Sequence, residues 1–67
     1  MKWTWRDVQE IAAGLAEEHP ETDPLSVALP ELKRIVIALP SFGDDPDTTT
    51  DAILEAIQAA WYDEMEG

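Results

Sequence analysis

Apolar residues recur at helical spacing in three stretches, separated by two segments rich in proline and acids. In the first stretch Val8, Ile11, Ala12 and Leu15 fall on one side of a helix, which the spacing predicts from about Trp5 to Glu18. Thr4-Trp5-Arg6-Asp7 precedes it in the form of a capping box, with Asp7 where Glu or Gln is commoner. Gly14 either weakens this helix by roughly 1 kcal/mol relative to Ala or permits close approach of another element. His19-Pro20 ends it, because the residue before a proline is pushed out of the helical region. Glu21 to Pro24 reads as a turn, with Asp23-Pro24 able to cap and start a short helical turn. Ser26 to Leu29 reads as a short strand or an extended strut, with Val27 and Leu29 on one side.

Pro30 suits the start of a second helix. Leu32, Ile35, Val36 and Leu39 supply its buried face, Lys33 and Arg34 point outward, and Pro40 stops it. Ile37 falls off that stripe, which implies a second contact surface or tight burial. In the loop that follows, Phe42 is expected to plug into the core, and the threonines at 48, 49 and 50 are helix caps in waiting. The third helix runs from about Thr50 to Asp63, with Ile53, Leu54, Ile57, Ala60 and Trp61 as its apolar face. One of Trp3 and Trp5 is expected to be buried against it and the other partly exposed. Three amphipathic helices around one core are the economical arrangement, so residues 1–67 read as a single mainly α domain with at most a minor short strand pairing.

Charge changes this picture more than size does. The chain has 67 residues, 15 acids, four bases and a net charge of -11, with 45% hydrophobic residues. That hydrophobic content is too high for a disordered acidic tail. Without cysteine there is no disulfide framework and no thiolate zinc site. The excess of acid repels nucleic acid and anionic membrane surfaces, and favours a basic protein surface or a cation. The longest apolar run, Ile35 to Leu39, is far shorter than a membrane span, and no secretory signal is expected. The expected compartment is cytoplasmic, and the high charge favours a monomer. From residue 40 onward there are eight acids and no base.

The acid-rich loop does not fit a calcium-binding frame. With Asp44 as the first position, Glu55 takes the twelfth, but Pro46 and Thr49 stand where a ligand and a glycine are required. An EF-hand is therefore excluded, while a looser oxygen-ligand site for a hard cation stays open. Asp51 and Glu55, four residues apart, read equally well as a repelling pair on a wet surface. His19 has no nucleophile at recognisable spacing, and there is no glycine-rich phosphate loop, so an enzyme is not expected.

Taken in order, the motifs resemble the IscX family of small acidic proteins of bacterial iron–sulfur cluster assembly. Trp5 and Asp7 open helix 1, with Glu10, Ile11 and Leu15 after them. Pro20, Asp23, Pro24 and Val27 match the family's Pro-x-x-Asp-Pro-x-x-Val. Phe42, Asp44, Asp45 and Pro46 match its loop, and Ile53 to Ile57 with Trp61, Asp63 and Glu64 match its last helix. The chain departs from the pattern at Ala28-Leu29-Pro30-Glu31, where the family has Arg-Phe-Thr-Asp, and at Gly43 and Asp51.

The resemblance implies a helical domain of modified winged-helix type that binds a cysteine desulfurase through its acidic face and binds iron weakly as Fe²⁺. It leaves open whether such a protein donates iron or regulates sulfur release. On this reading Asp44, Asp45 and Asp47 are the candidate metal ligands. The candidate partner contacts are Asp44, Asp45, Asp47, Asp63 and Glu64, with Asp7 and Glu10 next. The alternative is a plain acidic helical interaction module whose acids only keep it soluble.

Overall fold

The Thr4–Asp7 turn starts the first helix later than the apolar spacing suggests. In the computed structural model, which describes residues 2–66, Asp7 N–H donates to the Thr4 carbonyl at 3.0 Å. The Asp7 carboxylate accepts in return from Thr4 N–H at 2.9 Å. This reciprocal pair closes a turn ahead of the helix, and α1 spans Val8–Glu18 rather than beginning at Trp5. The Trp5 N–H points away from α1 and donates to Asp44 at 3.2 Å. As expected, His19 ends α1, its N–H donating to the Leu15 carbonyl at 2.8 Å.

Asp23-Pro24 does start a short turn, a 3-10 turn over Pro24–Ser26. Asp23 accepts from Leu25 N–H at 3.0 Å, an Asx cap on a turn whose first residue has its φ fixed by proline. Val27 and Ala28 then run extended. Of the two readings of this segment, the strut is realised and the strand is not. The Pro24 and Val27 carbonyls are taken by the side-chain amide of Gln58, at 2.8 and 3.0 Å, instead of by a neighbouring strand.

The second helix, α2, spans Leu29–Ile37, starting one residue earlier and ending two residues earlier than expected. Its N-cap, Ala28, makes no side-chain cap bond. The end falls at Ile37 because Pro40 bars helical geometry at Leu39, whose N–H bonds back to Val36 in a tighter turn. The third helix, α3, spans Asp51–Glu66. Thr50 caps it, its hydroxyl accepting from Ile53 N–H at 3.3 Å. It continues three residues past the expected end at Asp63, and half-buried Met65 packs against the core in that added turn.

The sole β pairing among the described residues is a parallel bridge between Trp3 and Phe42. Trp3 N–H donates to the Ser41 carbonyl at 2.6 Å, and Gly43 N–H to the Trp3 carbonyl at 2.8 Å. The minor strand pairing thus lies at the N-terminus. No hairpin that could serve as a wing is formed among the described residues.

The three helices enclose one core, in which Ile11, Leu15, Leu32, Val36, Ile57 and Trp61 are fully buried. The Trp61 indole N–H has no partner there. Leaving it unpaired costs about 1–3 kcal/mol. Burying about 150–250 Å² of ring at about 25 cal/mol/Å² gains about 4–6 kcal/mol, so the ring stays inside. Trp5 is the buried member of the N-terminal pair and meets Phe42 edge-on at 4.6 Å, while Trp3 is half-buried. Phe42 plugs into the core as expected.

Three expectations about exposure need correction. Ile35 and Ile53 are half-buried, at the margin of the core. Ile37 is exposed, so the tight-burial reading fails: one residue past Val36, it is rotated off the inward stripe. Lys33 is half-buried because its ammonium leans to Asp47, at 3.6 Å.

Helix direction sets the geometry of the surface. Before α1, the Trp5 indole N–H donates to the Asp45 carbonyl at 2.7 Å, in the loop that leads into α3. After α1, the His19 ring lies 6.3 Å from the Trp61 ring, late in α3. The two helices therefore run in the same sense. Gly14 is where α1 admits a close neighbour: a Cβ there would sit 2.8 Å from the Trp3 indole.

Candidate functional site

The acids of the loop divide into those that build it and those it displays. Asp44 accepts from Trp5 N–H at 3.2 Å with one oxygen and from Asp45 N–H at 2.7 Å with the other. Asp45 accepts from Asp47 N–H at 2.9 Å and caps a second 3-10 turn, Pro46–Thr48. Its carbonyl also accepts from the Thr48 hydroxyl at 2.9 Å. Residues 45–48 thus repeat the Asp-Pro-x-Ser/Thr turn of residues 23–26, a recurrence legible in the sequence. Asp47 is different: its side chain is 88% exposed and pairs with Lys33 at the surface.

This division bears on the expected metal ligands. Asp44, Asp45 and Asp47 lie in one loop, but Asp44 and Asp45 each direct oxygen at a backbone N–H. Among the described residues, no group of three or more acids is placed to hold a metal ion. A hard cation prefers six or more oxygens, so this loop offers a cation single surface oxygens instead of a cage.

The expected partner contacts fall in two groups, one beside the N-terminal turn and one late in α3. Asp7, Asp44, Asp45 and Asp47 gather where the N-terminal turn meets the loop, joined through Trp5. Glu10, exposed in the first turn of α1, belongs to the same end. Asp63 and Glu64 follow Trp61 and so lie at the His19 end, roughly 18 Å along α3 from its start at 1.5 Å per residue. Both are exposed, as are Glu17 and Glu18 in the last turn of α1, which holds no base. The sequence reading passed over Glu17 and Glu18. Only the parallel course of α1 and α3 brings them to the end that carries Asp63 and Glu64.

Two surface ion pairs engage acids among the described residues, Lys33 with Asp47 and Arg34 with Glu31. Neither involves Asp63, Glu64, Glu17 or Glu18, so the carboxylates of the His19 end take part in no ion pair among the described residues. No described helix is long and apolar enough to cross a membrane.

Similarity to other proteins agrees with the motifs. The chain is 48% identical over 66 residues to an uncharacterised protein of Pseudomonas aeruginosa, a match covering 98% of this chain and 100% of the other. The profile of the iron–sulphur cluster assembly family matches residues 1–66. With Trp5 and Asp7 in the turn before α1, its Asp-Pro turns and its Trp61-x-Asp63-Glu64 end, the chain belongs to the iron–sulphur cluster assembly family typified by IscX.

Proposed function

We propose that this protein is a non-catalytic acidic adaptor of iron–sulfur cluster assembly that docks, as a monomer in the cytosol, on a basic surface of a cysteine desulfurase. The observation that carries this reading is the two groups of exposed acids, of which Glu17, Glu18, Asp63 and Glu64 take part in no ion pair among the described residues. A basic partner neutralises these four without first breaking an ion pair of the adaptor. The exposed residues Asp63, Glu64, Asp47 and Glu10 act as contacts, while Asp44, Asp45 and Asp7 act chiefly by holding the loop and turn that present them. Iron, as cargo, meets exposed carboxylates singly, so its binding is weak, and Asp47 is the most accessible ligand of the loop.

Electrostatic docking has a measurable signature. Association with the purified desulfurase should weaken at least tenfold between low and moderate salt, through a slower on-rate. Asp63→Lys/Glu64→Lys should weaken it further than salt alone. An affinity indifferent to both salt and charge reversal would refute the adaptor reading and favour a plain module whose acids only confer solubility.

A further inference from the structure

We propose that the cavity between the C-terminal half of α1 and the segment after α2 is a socket for one arginine side chain of a basic partner. This cavity, about 270 Å³, is lined by Trp3, Gly14, Glu17, Glu18, Leu39 and Pro40, with Ser41 at its edge. Small-molecule sites usually enclose about 300–1,000 Å³, so this one suits a single side chain better than a free metabolite. A smaller neighbouring cavity of about 180 Å³ shares Glu18, Leu39 and Pro40 with it, at the ends of α1 and α2.

The walls match a guanidinium in three ways. Trp3, Leu39 and Pro40 give an apolar surface for the aliphatic stem, and the indole adds a π system on which a planar cation can stack. Glu17 and Glu18 supply exposed carboxylates, and neither takes part in an ion pair among the described residues. The C-terminal end of α1 carries partial negative charge and has no base in its last turn. Arginine is favoured over lysine because its planar fork can stack and bond a carboxylate bidentately at once.

The wall is also fixed in place. The Trp3 backbone is held by the bonds to Ser41 and Gly43, and its indole lies against α1 where Gly14 has no Cβ. The chain's own Lys2 shows the polarity of the rim: its ammonium donates to the Pro40 carbonyl at 3.5 Å.

This socket rests on the proposed basic partner, but its test does not need that partner. N-acetyl-arginine amide is titrated into the isotope-labelled protein at constant ionic strength and followed by ¹H–¹⁵N NMR. N-acetyl-citrulline amide, nearly the same shape without the charge, is the control. The expected result is shifts centred on the Trp3 indole N–H, Gly14, Glu17 and Glu18, with citrulline bound at least threefold more weakly. Glu17→Gln/Glu18→Gln, at exposed positions, should weaken arginine binding about threefold or more, and Trp3→Leu by a similar factor. Equal shifts with citrulline, shifts spread evenly over all the acids, or an affinity unchanged in Glu17→Gln/Glu18→Gln would each overturn the socket. Failure of desulfurase docking with an intact titration would instead refute the adaptor reading alone.

Discussion

Removing one acid from a chain of charge -11 ought to relieve repulsion, yet at Asp44 the opposite is expected. Asp44 accepts two backbone N–H groups, from Trp5 at 3.2 Å and from Asp45 at 2.7 Å. Each such bond contributes about 0.5–1.5 kcal/mol net. Relief of repulsion between exposed, screened charges is worth only a few tenths of a kcal/mol. Asp44→Ala should therefore lose about 1–2 kcal/mol. For a domain of 60–100 residues each kcal/mol moves Tm by about 4–8 °C, so Tm should fall by roughly 4–16 °C. Asp44→Asn keeps one acceptor oxygen and should recover part of the loss. Asp47→Asn, at a side chain 88% exposed with one surface pair, should leave Tm within about 2 °C. Thermal melting by circular dichroism at fixed salt reads all three. If Asp44→Ala melts at or above the wild-type temperature, or if Asp47→Asn is the more damaging change, the division of the loop into building and displayed acids is wrong.

Gln58→Leu should cost about 1–3 kcal/mol in urea denaturation, because the Val27 carbonyl loses its donor, while the Pro24 carbonyl keeps the Val27 N–H at 3.3 Å. A Gln58→Leu protein as stable as wild type would show that water satisfies the Val27 carbonyl. Added salt should raise Tm by screening the excess negative charge, and a fall in Tm at moderate salt would contradict this.

Much of the fold was legible because it is local. Helix stripes, the Asp23-Pro24 turn, the stops at His19-Pro20 and Pro40 and the Thr50 cap all depend on residues a few positions apart, so the pattern alone places three helices. The strong negative charge and the family motifs are likewise properties of the chain.

The candidate site was less legible because its decisive contacts are distant in sequence. Trp5 meets Asp44 and Asp45 from about 40 residues away, and these bonds decide that Trp5 is the buried tryptophan and that Asp44 is a structural acid. Gln58 reaches back more than 30 residues to hold the strut. No periodicity encodes the sense of α3 relative to α1, yet that sense separates Asp63 and Glu64 from the loop acids and sets them at the end that carries Glu17 and Glu18. The sequence determined how much negative charge the protein carries and which segments coil. Only tertiary packing decided which carboxylates are bound to their own backbone and which are left for a partner, because hydrogen-bond partners in a folded chain are set by proximity in space.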